Sequence, residues 1–177
     1  SVEIEVFAAC NGLDAEAKQR GIVVLPGAGF DVVPTDCLAA ILKLELPGAE
    51  SLVLAFDAPG GPSPGTAKTA VEGLGKGGRA RINGELSKVP LAWKTRTFDK
   101  AGEARLAMTI PWGDVYTAYV STGIPNIEVY MCVPPGTVAN LRKLRRLGPL
   151  LGFAPIQALL KAQVEKKVQG PSEQKRK

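Results

Sequence analysis

Between Pro26 and Asp36 the chain reads Pro-Gly-Ala-Gly-Phe-Asp-Val-Val-Pro-Thr-Asp. Gly27 and Gly29 allow a close backbone approach that side chains would block. The carboxylates of Asp31 and Asp36 have the chemistry to pass a proton or orient an amine. Asp36, with Thr35, also reads as the cap of the apolar helix that opens at Cys37, and this is the first reading of that residue. A second corner runs from Asp57 to Thr66, where Gly60-Gly61 offers main-chain amides to a substrate and Ser63, Thr66 and Thr69 offer hydroxyls. A third runs from Pro111 to Tyr116, with Trp112 as a pocket wall and Tyr116 and Tyr119 as phenolic donors. Each corner has a plainer reading as a structural turn, a packed Trp or a shared helix face. Taken together they are expected to converge on one cleft that accepts a small organic molecule.

Several familiar chemistries are excluded by residue type or spacing. The chain has no histidine, so Ser-His and Cys-His nucleophiles and His-ligated metals have no residue to use within it, and no metal is expected. Gly27-x-Gly29 follows an apolar run but is not a dinucleotide fingerprint: Val32 stands at the third glycine position, and Pro34 interrupts the receiving helix. Gly60-x-x-x-x-Gly65 continues with Thr66-Ala67, where a phosphate loop needs Lys and then Ser or Thr. Val120 occupies the lysine position of a Tyr-x-x-x-Lys reductase dyad starting at Tyr116.

These corners need elements to hold them. Residues 5–20 carry helical spacing with a break at Asn11-Gly12 and a stop at Gly21. The β-branched run Ile22-Val23-Val24-Leu25 predicts a strand buried on both faces, followed by a helix over about 35–46 that Pro47-Gly48 ends. Ser51 to Phe56 predicts a second strand, and residues near 66–75 a short helix. Leu86 to Leu91, Lys94 to Phe98 and Ala104 to Ile110 suggest a meander, and Asp114 is expected to cap a helix that follows it. Ile127 to Val133 is the clearest late strand, and residues 137–168 read as helix broken near Gly148-Pro149. The order of elements predicts an α+β or mixed α/β fold with a mixed, mostly antiparallel sheet and flanking helices. Cys10, Cys37 and Cys132 are widely spaced in apolar runs and read as buried thiols in a reducing, cytoplasmic setting.

The blocks Leu25 to Asp36, Gly60 to Thr66, Ile110 to Asp114 and Gly123-Ile124-Pro125-Asn126 together resemble an interior piece of the saccharopine dehydrogenase-like family, including its trans-acting enoyl reductase branch. That resemblance spans nearly the whole chain. It implies an NAD(P)-dependent oxidoreductase in which the nicotinamide transfers hydride. Residues 1–46 would be the terminal elements of a Rossmann-like cofactor domain, and residues 48–177 a mixed-sheet substrate and dimerisation domain. It further implies that Pro26, Gly27, Gly29, Phe30 and Asp31 face the nicotinamide, that Gly60, Gly61, Ser63, Thr66 and Trp112 face the substrate, and that most of the NAD(P) is held by sequence outside this chain. The chain opens without Met, directly into Val2 to Phe7, which fits a segment of a longer polypeptide. Asp31 and Tyr116 are the candidates for the catalytic proton, and the residues alone do not choose between them.

Charge is uneven along the chain. Residues 1–140 hold 12 basic and 15 acidic side chains, whereas residues 141–177 hold 10 and 2. Residues 141–168 therefore form basic helices with leucines at helical spacing, and two readings follow: packing on the parent domain with a solvated basic face, or contact with a membrane surface. Nucleic acid is not expected, because no aromatic stacking residues accompany the charges. A homodimer acting on a small molecule is the expected assembly, with a non-catalytic dimerisation or membrane-surface domain as the rival function.

Overall fold

The computed structural model describes residues 3–30, 32–58 and 64–167. Helices α1 (Ile4–Gly12) and α2 (Asp14–Arg20) meet at the expected Asn11-Gly12 break, and Gly21 ends α2 in the left-handed region. α3 (Val33–Glu45), β1 (Ser51–Phe56) and α4 (Pro64–Gly73) follow. Then come β2 (Gly78–Ile82), β3 (Glu85–Val89), β4 (Thr95–Lys100) and β5 (Glu103–Thr109). The last three fall on the runs expected to form a meander, but β3 and β4 stand at opposite ends of the strand order, so the four strands form two hairpins instead. α5 (Asp114–Thr122), β6 (Asn126–Cys132), α6 (Pro135–Leu144), a 3₁₀ turn (Arg145–Leu147), α7 (Gly148–Leu151) and α8 (Ala154–Lys167) complete the fold. It is a mixed α+β arrangement, as the order of elements implied.

The six strands form an open sheet in the order β3-β2-β6-β5-β4, with β1 pairing β6 off this path. β2 runs antiparallel to β6 with Arg81 opposite Ile127, and β4 runs antiparallel to β5 from Thr95–Met108 to Lys100–Glu103. Both hairpins close on two left-handed residues, as a type I′ turn requires. Asn83 (φ 51°) and Gly84 (φ 82°) join β2 to β3, and Ala101 (φ 54°) and Gly102 (φ 85°) join β4 to β5.

Contacts along the chain divide it into two units. The first comprises residues 1–54, 79–88 and 110–130. Its core is Ile4 and Phe7 of α1, Ala39 of α3, Val115 and Ala118 of α5, and Ile124, Ile127, Val129 and Tyr130 on and before β6. The second comprises residues 55–78, 89–109 and 131–177. It buries Ala67, Ala92, Ala107, Met108, Val138 and Leu151. Within it α8 lies on α4 through ion pairs Lys68–Glu165 and Lys161–Glu72, each 2.5 Å. The basic helix α8 is thus packed on its own unit. No helix among the described residues is long and apolar enough to cross a membrane.

Three further expectations are corrected. Residues 22–25 form no strand: Val23 is 90% and Leu25 72% exposed, and no strand of the sheet pairs with them. A β-branched run becomes a strand only where a neighbour supplies ladder hydrogen bonds and covers its faces. The helix breaks near Gly148-Pro149 as expected, with a 3₁₀ turn at Arg145–Leu147 and a new helix from Gly148, and a second break falls at Gly152-Phe153. Asp114 is not the cap of α5. Gly113 holds that position, and Asp114 is fully buried. The cysteines are not all buried, since Cys37 is exposed and Cys10 and Cys132 are partly so; all three are free thiols.

Candidate functional site

The first unit holds an open cleft of about 390 Å³. α1 contributes Phe7, Cys10 and Asn11, the segment after α2 contributes Ile22 to Val24 and Pro26, and α5 contributes Tyr116, Thr117, Val120 and Ser121. Gly27 packs behind the Phe7 wall. Its φ of +69° and its position against Phe7 both require glycine, since a Cβ there would lie 2.7 Å from the Phe7 ring. Phe7 in turn stacks on Tyr116, with ring centroids 6.3 Å apart at 15°. The turn after residue 25 is therefore fixed to α5 through one phenylalanine.

α5 is fixed from its other side by a residue the sequence reading passed over. Arg81 on β2 is 6% exposed. Its Nε donates to the Val115 carbonyl at 3.0 Å and its Nη1 to that of Gly84 at 2.8 Å. The guanidinium lies 4.0 Å from the Tyr119 ring centroid and 5.9 Å from that of Tyr116. Burial holds its pKa below the usual arginine value, against the opposing pull of the two tyrosines. Tyr116 and Tyr119 are thus packing partners of Arg81, and only Tyr116 reaches the cleft.

Behind the cleft the first turn of α3 bonds through hydroxyl and carboxyl groups to both ends of α5. α3 starts at Val33 after Val32, so neither Thr35 nor Asp36 caps it, contrary to expectation. The Thr35 hydroxyl is placed to donate to the Val32 carbonyl (2.9 Å) and to Asp114 Oδ1, and Ser121 Oγ donates to Asp36 Oδ2 at 2.7 Å. These bonds join the Gly-Phe-Asp-Val-Val-Pro-Thr-Asp block to the Pro-Trp-Gly-Asp block and the helix after it. Asp36 Oδ1, Asp114 Oδ2 and the Thr117 hydroxyl are buried without a hydrogen-bond partner. Burial pushes the Asp114 carboxyl up from 3.8 to about 6; the hydrogen bonds from Thr35 and its own backbone oppose this, and the charge of Asp36 adds to it. The cluster can hold a proton near neutral pH and can accept a donor from a bound molecule. Thr117 is the member of the unpartnered set that also lines the cleft.

The remaining predicted residues are placed as follows. Pro26 and Tyr116 share the cleft, while Gly29 stands in open space and Phe30 is 88% exposed. Trp112 is half-buried and stands outside the cleft lining, its backbone N–H donating to the Ile110 carbonyl at 3.0 Å. Thr66 is exposed at the start of α4 in the second unit, and Thr69 donates to the Gly65 carbonyl at 3.2 Å as an ordinary helical back-bond. Asp31, Gly60, Gly61 and Ser63 lie outside the described residues. No group of His, Cys, Asp and Glu among the described residues is arranged to hold a metal ion. Compared with known proteins, the chain matches no family model and none of the curated proteins.

Proposed function

We propose that this chain is the substrate-side portion of an NAD(P)-dependent oxidoreductase resembling the saccharopine dehydrogenase-like family. The observation that supports it is the Thr35–Asp114 hydrogen bond with its companion Ser121–Asp36. Two of the sequence blocks that carry the resemblance meet there, beside a cleft that opens to solvent. Residues 1–46 serve in this reading as the last elements of the cofactor domain. The β-branched run Ile22 to Leu25, exposed and unpaired by any strand of the sheet, suits a strand whose neighbours belong to that domain. Three free thiols suit a reducing, cytoplasmic setting.

The residues present do not fit the pyrophosphate of a dinucleotide. The α3 N-terminus has Pro34 in its first turn and Asp36 beside it, and a carboxylate there repels phosphate. The Thr35 hydroxyl is already committed to Val32 and Asp114. Phosphate binding is therefore assigned to residues outside this chain, and hydride transfer belongs to the cofactor. The chain's own share is to present an apolar wall (Phe7, Pro26, Val120) and a polar floor (Thr117, Ser121) to an organic substrate. Asp114 acts behind that floor as a positioning residue that keeps a titratable carboxyl near neutrality.

Amide chemical-shift mapping of the ¹⁵N-labelled chain tests the substrate-side assignment. Candidates are a 2-oxo acid, an amino acid and an enoyl thioester. The expected result is that at least one of them shifts Tyr116, Thr117 and Ser121 together. Shifts confined to other surfaces, or none at millimolar ligand, overturn the assignment.

A further inference from the structure

The chain carries no acid between Glu128 and Glu165, yet Arg142, Lys143, Arg145, Arg146 and Lys161 fall in that interval. The structure sorts these cations within the second unit. Lys161 is bound to Glu72, and Arg142 Nε donates to the Ala92 carbonyl at 3.3 Å. Lys143, Arg145 and Arg146 are exposed, with no acid in ion-pair range among the described residues. Beside them Leu147, Leu150 and Phe153 are 48%, 55% and 59% exposed. Three large apolar side chains crowded into seven residues at one corner are more than scattered surface hydrophobics.

The corner is built rather than frayed. Leu151 is 5% exposed and anchors it. Gly75 and Gly152 touch main chain to main chain, since a Cβ on Gly75 would lie 2.7 Å from the Gly152 Cα. Gln157 Nε2 is placed to donate to the Leu151 carbonyl and to that of Val71, the latter at 3.0 Å. The Phe153 amide closes the turn onto the Leu150 carbonyl at 3.1 Å. An inward leucine thus holds the outward ones in place.

We propose that this corner docks the protein on an anionic membrane surface, with Lys143, Arg145 and Arg146 among the headgroups and Leu147, Leu150 and Phe153 at the acyl boundary. Exposed cations followed in the chain by exposed large apolar side chains are the pattern that an anionic bilayer complements at two depths at once. Arg145 and Lys76 also border a recess of about 330 Å³ with Gly75 and Gly77, beside the tip, where an anionic headgroup can sit. A second copy of the chain is a poorer occupant, because a two-fold contact through this corner sets its three cations against their own equivalents. A nucleic acid is poorer still: Phe153 is the corner's single aromatic, and leucines offer nothing to stack a base upon. The membrane contact lies in this corner and not along α8, whose Lys161 and Glu165 are already engaged with α4.

Sedimentation with sucrose-loaded vesicles tests the proposal, using phosphatidylcholine alone and phosphatidylcholine with about 30% phosphatidylserine. The chain of residues 1–177 is expected to pellet with the anionic vesicles and to stay in solution with the neutral ones. Raising salt to about 0.5 M releases it. Arg145→Ala/Arg146→Ala and, separately, Leu150→Ser/Phe153→Ser each weaken partitioning at least about tenfold. All four side chains are exposed, so unchanged thermal unfolding shows that the variants remain folded. Failure of the folded wild type to bind anionic vesicles overturns the proposal. So does binding that survives both double variants and disappears only when residues 168–177 are removed. Tighter binding to a single-stranded RNA than to the vesicles also overturns it.

Discussion

Replacing Asp114 by Asn is expected to stabilise the protein at neutral pH, although it alters a fully buried polar residue. The folded-state pKa of about 6 lies above the ordinary value of 3.8, so the folded protein holds this proton more tightly than the unfolded chain does. The carboxyl's contribution to stability is thus complete below pH 3.8 and is lost as pH rises through about 6. A shift of that size converts, at roughly 1.4 kcal/mol per unit, to an upper bound near 3 kcal/mol; relaxation and water penetration reduce this to about 1–2 kcal/mol. The introduced asparagine would keep an acceptor for the Thr35 hydroxyl and would place an N–H₂ where Asp114 Oδ2 has no partner, near the unpartnered Asp36 Oδ1. Urea unfolding followed by Trp fluorescence between pH 4 and 8 reads the effect. The two proteins should agree to within about 0.5 kcal/mol at pH 4, and the variant should be more stable by about 1–2 kcal/mol at pH 7.5. A variant less stable than wild type at pH 7.5, with both profiles parallel in pH, refutes the reasoning. It would mean that the ionised carboxylate is well paired.

Three further outcomes follow from the same geometry. Thr35→Val removes the donor to Asp114, and a double-mutant cycle with Asp114→Asn should return a coupling of about 0.5–2 kcal/mol; a value within error of zero breaks the link between the two blocks. Gly27→Ala should cost at least about 2 kcal/mol in unfolding free energy, from its positive φ and the Phe7 ring, while Gly29→Ala, with open space around its Cβ, should change stability by less than about 0.5 kcal/mol. Ala101→Asn should raise stability by about 1 kcal/mol, because Ala101 sits at φ 54° in a turn that asparagine tolerates and alanine does not; a lower melting temperature contradicts this.

What the sequence revealed depended on whether the signal was local. β1 falls on the run Ser51 to Phe56 because a short apolar run between a Pro-Gly turn and a Gly/Pro-rich loop is a local pattern. The break between α1 and α2 at Asn11-Gly12 is equally local. The Asn83-Gly84 hairpin was open to the same kind of reading, since two left-handed residues between alternating runs are a turn signature. Ile22 to Leu25 failed for the opposite reason: its composition favours a strand, but a strand also needs partners that the run itself does not encode. Asp114 failed likewise: at the start of a helix an aspartate reads as a cap, but Thr35, far away in the chain, decides its place. Arg81 carried no sequence signal, because its burial rests on Val115, again far away in the chain. Of the residues lining this cleft, Pro26 and Tyr116 were among those the sequence singled out, whereas Thr117 and Ser121, its polar floor, were not. Their signal was available only as hydroxyls one helical turn apart on a helix that already carried Tyr116.

The reading of this chain as the substrate side of an oxidoreductase is tested most directly by nucleotide affinity. NADPH and NADH are titrated, by fluorescence, into residues 1–177 and into the product of the complete reading frame that contains them. The account predicts saturable binding with Kd in the range of about 1–100 μM for the complete product and none below about 1 mM for residues 1–177. Micromolar binding by residues 1–177 alone, or no binding by the complete product, contradicts it.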